Sequence, residues 1–428
     1  MSKELGKAIR KDFPYFQKRP NTSFLDSAAS SLTPVPVIEA ISRYYQDFSV
    51  NIHRGVYEAS AEATKIYEET RQVVRDFINA ENYDIIFTRN ATEGFNLVAG
   101  VLPYCDSLFE VESLFAWKQP LQKGDVVVIS ESEHHANIVP WHLLRERFGV
   151  HVEFIPVFDN GVLDTSYIDV IKSKWKNGVK IISLSAMSNV TGILHDLSPF
   201  EKLAREYGAL FLVDAAQAVC HEKISAKKLN ADMIMFSAHK MLGPTGIGVL
   251  AIRKDIADKL PPYQGGGDMI LSVAKDKVLF ANSPQRFEAG TPHIAGVFGL
   301  QKAIEYLQEI GLEKIAAWEK DLGLNVMQEL EKVGALLRGP SVEEVQSGKI
   351  EKAGVISFEL PNVHPHDAAT IFDKHGVAIR AGHHCCQVLM RRWQTTATCR
   401  ASFYLYNDYD DIEKLMKATK QALALFHS

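Results

Sequence analysis

The chain has 428 residues, 46% of them hydrophobic and 23% charged, with a net charge of −5. That length suits two domains of ordinary globular composition, and the mild acidity, with no dominating basic stripe, excludes a general nucleic-acid binder. Five cysteines, odd in number and irregularly spaced, form neither a disulfide framework nor a paired zinc motif.

Met1 to Pro20 is charged and has no apolar stretch, so no secretory signal is expected. Nor does any run of about 18 apolar residues predict a membrane span. A reducing cytoplasm fits the cysteine usage. Residues 1–25 read as an arm with a short helix, packing on the smaller domain. Phe24-Leu25-Asp26-Ser27-Ala28-Ala29-Ser30 is small and polar, suited to close approach to a ligand. From Ala59 to Asn79 an amphipathic helix is predicted, because Ala63, Ile66, Tyr67, Thr70, Val73, Val74 and Phe77 recur at spacings of three and four. Short apolar runs then alternate with helical patterns. The runs are Ile85–Phe87, Val126–Ile129, Val152–Ile155, Ile181–Leu184, Leu210–Val213 and Met233–Phe236, with helices such as Ile138–Arg147 and Pro199–Tyr207 between them. This alternation predicts an α/β architecture with a mostly parallel sheet over residues 26–295, and ligands beyond the carboxyl ends of its strands.

After about residue 295 the pattern changes, and residues 296–428 read as a smaller α+β domain. Helices are expected near 296–309 and 313–335, then a strand at Gly354–Leu360 and a helix at Pro365–Lys374. A strand into Arg380, another at Arg400–Tyr406 and a last helix at Asp408–Leu425 complete it. The poorly patterned stretch from Pro103 to Gln122, with Tyr104, Phe109, Phe115 and Trp117, reads as a lid, a partner surface or a packed surface loop.

The most informative residue is Lys240, at the exit of an apolar run and before a glycine-rich turn (Gly243 to Gly248). An amine buried among polar partners can lose its proton near neutral pH and attack a carbonyl. Asp214 ends the neighbouring run. Lysine at one strand end and aspartate at the next is the layout pyridoxal phosphate needs, for its aldehyde and its ring nitrogen respectively. Gln217 could donate to the ring oxygen. Asn90-Ala91-Thr92-Glu93-Gly94 opens a helix, whose free N–H groups attract a phosphate or are simply capped by Thr92. Ser237 and His239 could add donors there. In Glu133-His134-His135-Ala136-Asn137 an imidazole could stack on a flat ring; adjacent histidines rarely share one ion, so no metal is expected. Arg380-Ala381-Gly382-His383-His384-Cys385-Cys386 gives a cysteine electropositive neighbours that favour thiolate, or else a buried pair of apolar thiols. Arg400 could clamp a carboxylate with two hydrogen bonds or form an interdomain salt bridge. The turns Gly265-Gly266-Gly267-Asp268-Met269 and Phe287 to Pro292 could approach a phosphate across a dimer interface.

In order and spacing these segments, from Phe24 to Phe426, resemble the group II (SufS-type) cysteine desulfurases of the class V aminotransferase superfamily. That resemblance implies a fold-type I pyridoxal phosphate enzyme with a seven-stranded, mostly parallel large-domain sheet. Its implied activity converts L-cysteine to L-alanine, leaves a persulfide on Cys385, and supplies sulfur for iron–sulfur cluster assembly. By the same resemblance Lys240 holds the cofactor and carries protons, Asp214 meets the ring nitrogen, Gln217 the ring oxygen, and His134 stacks on the ring. Ala91 (by backbone), Thr92, Ser237 and His239 hold the phosphate, joined by Thr291 of a partner subunit in a homodimer. Asn189, which also contacts the cofactor, and Arg400 bind the substrate carboxylate, with Arg380 near and His53 lining the pocket. A sulfur-acceptor protein is implied; nucleic acid, membrane and metal are not. Selenocysteine lyase as the main activity, or another class V chemistry, stays open. Departures from the family pattern are Ala91 in place of a hydroxyl, Ala238 for glycine, Cys386 for alanine, Val388 for proline, and the Pro103–Gln122 stretch as an insertion. Cys386 could accept sulfur or form a disulfide beside Cys385.

Overall fold

The structure, a computed structural model, describes residues 4–108, 121–176 and 178–426. The six apolar runs form β1 (Tyr83–Thr88), β2 (Val126–Ser130), β3 (His151–Ile155), β4 (Val179–Ser185), β5 (Leu210–Asp214) and β6 (Met233–Ser237). A seventh strand, β7 (Gly248–Arg253), follows the glycine-rich turn. The sheet order is β1-β7-β6-β5-β4-β2-β3. Only β7 runs against its neighbours; the other adjacent pairs are parallel. Every residue of β5 and β6 is buried, as expected of Val/Ile/Leu-rich strands covered on both faces. Each such side chain contributes about 1.5–3 kcal/mol by leaving water. Ser185 pairs with Asp214 and Asp214 with Met235, so polar residues gather where the apolar strands end.

The predicted amphipathic helix is α1 (Glu58–Phe77), and α2 (Ala91–Val101) follows β1. Helix α3 (Ile294–Ile310), expected at the start of the smaller domain, packs instead against Val35–Arg43 and α1 and closes the core over the large sheet. Beyond it, β8 (Leu336–Arg338), β9 (Val355–Glu359), β10 (Arg380–Gly382) and β11 (Thr398–Ser402) form a second sheet in the order β8-β9-β11-β10. All its pairs are antiparallel. Helices α4 (Leu312–Lys332) and α5 (Tyr409–Phe426), with Pro365–Lys374, supply a separate core. The strand expected at Arg400–Tyr406 begins at Thr398 and ends at Ser402. Past that point Tyr404 and Tyr406 are fully buried and spend their hydroxyls on the Cys220 carbonyl and Ser27.

The N-terminal arm reaches the second sheet. Ser23–Phe24 pairs in parallel with Val377–Ala378, and Gly6 N–H donates to the Leu405 carbonyl at 2.9 Å. Asp26 bridges Ser402, which sets its carboxylate beside the end of β11. The expected Pro103–Gln122 insertion lies mostly outside the described residues; its first part is 3₁₀ structure, Leu102–Leu108. Among the described residues no helix is long and apolar enough to cross a membrane, and no group of three or more His, Cys, Asp or Glu could hold a metal.

Candidate active site

An open cleft of about 710 Å³ lies where the carboxyl ends of the large sheet meet the second sheet, and both Lys240 and Cys385 line it. Lys240 closes a 3₁₀ turn, Ala238–Lys240, directly after β6. Burial pushes its ammonium below the usual lysine range; Asp214 opposes this and Arg400 adds to it. Because the net shift is downward, burial and Arg400 together outweigh the carboxylate. Asp214, at the end of β5, accepts from Ala216 N–H at 2.9 Å. Burial raises its pKa, while Lys240 and that N–H pull the other way.

His134 stands over the same floor. Ala136 N–H donates to its Nδ1 at 3.0 Å, which leaves the ring proton on Nε2. Burial, then Lys240, lowers its pKa to about 3, so the ring is neutral at physiological pH. The loop carrying it hangs on Glu133. That buried carboxyl accepts from Ser130 Oγ (2.6 Å), Asn137 Nδ2 (2.8 Å) and Ser185 N–H (3.1 Å). Burial still raises it to about 7.

Helix α2 opens toward the cleft. Its N-cap is Asn90, whose Oδ1 accepts from Glu93 N–H at 2.9 Å; the cap is therefore not Thr92, which is exposed on the cleft side. Ala91 N–H donates to Ser237 Oγ at 2.9 Å. His239 also lines the cleft, and burial with Lys240 lowers its pKa to about 4.

The opposite wall comes from the second sheet. Just past β10 the backbone turns through His384 (φ 51°) and Cys385 (φ 55°), left-handed conformations that cost a non-glycine residue about 1–2 kcal/mol each. Bonds from other segments hold the turn. His135 N–H donates to the Cys385 carbonyl at 2.8 Å, and Asn189 Nδ2 to the His384 carbonyl at 2.7 Å. Gln387 N–H donates to His135 Nε2 at 3.2 Å. The half-buried Cys385 lines the cleft, whereas Cys386 is fully buried in the core. Burial pushes the Cys386 thiol up, and neither Cys385 nor Cys386 is in a disulfide. Of the alternatives left open at this pair, the buried apolar thiol describes Cys386 alone.

Arg400, on β11, is buried and lines the cleft. It donates through Nη1 to the Asn189 carbonyl (2.8 Å) and through Nη2 to Asp26 Oδ1 (3.3 Å). Burial lowers its pKa to about 10, so it stays cationic. Arg380 donates to Asp26 Oδ2 from Nε (3.3 Å) and Nη2 (3.1 Å). The segment containing Asp26 looked fit for ligand approach, but no local pattern pairs an aspartate with arginines more than 350 residues away.

Three of the expected site residues do not line this cleft; of these, Thr291 was expected from a partner subunit. His53 does not line the cleft; its Nε2 lies 3.0 Å from Glu68 Oε1 and its ring packs edge-on against Tyr67, which holds it against α1. Thr291 lines a neighbouring cleft with Glu93, Gly290 and His293. Gln217 is buried, with its amide nitrogen on the Ala28 carbonyl at 2.7 Å; its Oε1 has no hydrogen-bond partner among the described residues.

Comparison with known proteins fits this geometry. The aminotransferase class-V family model matches residues 23–415. A probable cysteine desulfurase of Staphylococcus aureus is 42% identical over 423 residues, covering 98% of this chain and 97% of the relative. Among solved structures, the apo cysteine desulfurase of Thermococcus onnurineus superposes with a TM-score of 0.88 at 37% identity, covering 99% and 98% of the two chains. The cysteine desulfurase CsdA of Escherichia coli, in an S-sulfonic acid form, gives 0.84 at 32% identity, with 98% of each chain covered. A family match across nearly the whole chain, on a fold whose strand ends bring a lysine and a cysteine into one cleft, leaves one conclusion: the chain belongs to the aminotransferase class-V family.

Proposed function

We propose that this protein is a pyridoxal phosphate-dependent cysteine desulfurase, with Cys385 as the sulfur-accepting nucleophile. The observation that carries this reading is that Lys240 and Cys385 face one cleft from two different sheets. The cleft residues fit the cofactor. Lys240 is an amine whose proton is held weakly, and Asp214 is a buried carboxylate that gains from a cation beside it. Thr92, Ser237, His239 and the backbone of Ala91 gather at the start of α2, a position that favours a phosphate. When bound, pyridoxal phosphate supplies an aldehyde and an electron-withdrawing ring that loosens bonds at the substrate carbons.

The chain's own groups divide the work. Asp214 would hold a proton at the ring nitrogen. His134, neutral, would face the ring without adding charge to it. Lys240 would hold the cofactor and serve to move the proton at the substrate α-carbon. Arg400, with Asn189 beside it, binds the α-carboxylate. The Cys385 sulfur attacks the substrate sulfur; the S–S bond forms as the carbon–sulfur bond breaks, its electron pair stays with carbon, and that carbon takes up a proton so that the skeleton leaves as L-alanine. Two chemistries need two residues, because the lysine works on carbon and the thiol on sulfur.

A homodimer suits the exposed parts. Thr291 is exposed and lines the neighbouring cleft, which supports a role toward the phosphate of a second copy. The hairpin Ile270–Val273 with Val278–Phe280 presents exposed Leu271, Val273 and Phe280, apolar surface that a second copy would cover. Delivery of the persulfide sulfur to an acceptor protein, for iron–sulfur cluster assembly, completes the reading. The test is to incubate the holoenzyme with L-cysteine and no keto acid. Equimolar alanine and sulfide, with a thiol reductant present, are expected; transamination that requires a keto acid would overturn the reading.

A further inference from the structure

The turn from Phe287 to Pro292 does more than carry Thr291. Within it the buried Glu288 side chain ties α1 to β1. Its Oε1 accepts from Arg71 Nη1 (2.7 Å) and from the Phe87 N–H (2.7 Å); its Oε2 accepts from Arg71 Nη2 (2.8 Å) and the Tyr67 hydroxyl (3.0 Å). Arg71, on α1, is itself buried. It donates further to the Ile85 carbonyl (2.7 Å) and to both oxygens of Glu68 (3.0 and 3.3 Å). All five N–H donors of the guanidinium are thereby used. Its central carbon lies 4.7 Å from the Phe87 ring centroid and 5.0 Å from that of Tyr67, so aromatic faces close the remaining sides.

The pair meets β1 for a reason. β1 is an edge strand of the large sheet, and an edge leaves alternate N–H and C=O groups with no strand to pair with. The Ile85 carbonyl and the Phe87 N–H, two residues apart, meet the guanidinium and the carboxylate. The buried ion pair thus stands where a further strand would. β1 runs on to Thr88, whose hydroxyl donates to the carbonyl of Asn90 at 2.9 Å, and Asn90 is the N-cap of α2. This connection has no slack. At Gly248, which pairs with Thr88, a Cβ would stand 2.5 Å from Asn90 Cα. A shift of the free edge of β1 therefore reaches the N–H groups that open α2.

We infer that Arg71 and Glu288 are positioning residues for the cofactor's phosphate: their pair fixes the free edge of β1, and through it the start of α2. The same carboxylate tethers the turn that bears Thr291. The inference rests on the proposed seating of the phosphate at the start of α2. A lysine in place of Arg71 keeps the charge, but its single ammonium cannot bridge the Ile85 carbonyl, Glu68 and both oxygens of Glu288 in one plane. The loss should fall on the phosphate. Ring and aldehyde are served by Asp214 and Lys240, which follow β5 and β6 nearer the middle of the sheet.

The test is titration of the full chain, stripped of cofactor, with pyridoxal phosphate and separately with pyridoxal. Binding is read from the visible absorbance of the lysine-bound aldehyde and needs no turnover. Pyridoxal has the same ring and aldehyde without the phosphate, so the ratio of the two affinities isolates the phosphate grip. Arg71→Lys and Glu288→Gln should each lower that ratio about tenfold or more, with pyridoxal affinity staying within about threefold of wild type. A folded variant in which both affinities fall by one factor, or in which neither moves, would overturn the inference and leave the pair as a fold-holding contact. Should both variants fail to fold, Tyr67→Phe decides, since it removes one bond to Glu288 and no charge. A ratio lowered about threefold with pyridoxal affinity unmoved supports the inference, and an unchanged ratio refutes it. A wild-type chain that binds the two aldehydes equally well would show that α2 seats no phosphate, and the inference would fall together with that reading.

Discussion

The strand-end wall of the cleft is held by regular structure, whereas the cysteine wall is an irregular turn held by its neighbours. Lys240 and Asp214 follow directly from two adjacent, wholly buried strands, so their positions are set by the sheet register. Cys385 follows a residue with positive φ and has positive φ itself. Its place depends on three bonds that join the turn to the large-sheet side: His135 N–H to the Cys385 carbonyl, Asn189 Nδ2 to the His384 carbonyl and Gln387 N–H to His135 Nε2. The difference matches the two proposed tasks. Proton transfer at carbon needs fixed geometry. A thiol that takes up sulfur and then passes it on has to meet two partners in turn, and a turn on short tethers at the cleft edge can do so.

The sharpest break between the two walls comes from their two reactive residues. Lys240→Ala should lose the visible absorbance of lysine-bound cofactor and lower alanine formation by about 10⁴-fold or more, measured by spectrum and amino-acid analysis. Cys385→Ser should lower desulfuration of cysteine by about 10³-fold or more while leaving that absorbance intact. Full alanine-forming turnover by the serine variant would erase the proposed division of labour.

The contrast also explains what was legible beforehand. The apolar runs ending at Leu184, Val213 and Phe236 announce strands by themselves, and the polar residue after each marks the floor of the cleft. β7 was hidden, since its run Val249–Ile252 follows closely on a glycine-rich turn and reverses direction to enter the sheet. The order Arg380 to Cys386 pointed to a reactive thiol, but which of two adjacent cysteines faces the cleft is a matter of turn geometry. Asp26 escaped notice because its partners are distant in sequence. His53 went astray for the opposite reason, as Glu68 on a nearby helix claims its ring. Thr92 lost its expected cap to Asn90, whose extended backbone (φ −175°) and side chain suit the N-cap better.

A smaller effect sharpens the comparison through Glu133, which joins the histidine loop to β4. Its folded pKa of about 7 lies above the ordinary 4.5. The protonated form is therefore favoured by folding, a contribution fully present below pH 4.5 and lost as pH rises through 7. Glu133→Gln should flatten the dependence of unfolding free energy on pH across that window, by at most about 3 kcal/mol, in denaturant melts. An unchanged slope would show that the carboxyl is not protonated on folding. The smallest effect belongs to Cys386→Ala. It should cost about 1 kcal/mol or less in stability and leave desulfuration unaltered, because that thiol faces the core. A large loss of sulfur transfer in this variant would assign Cys386 a chemical role.

The central claim, that one cleft brings a cofactor-bearing lysine and a sulfur-accepting thiol to the same substrate, is tested most directly by peptide mass spectrometry. Holoenzyme mixed with L-cysteine, alkylated and digested should carry one extra sulfur on the peptide containing Cys385, and that sulfur should vanish on reduction. Modification confined to Cys386, or no added sulfur on any cysteine while alanine accumulates, would contradict it.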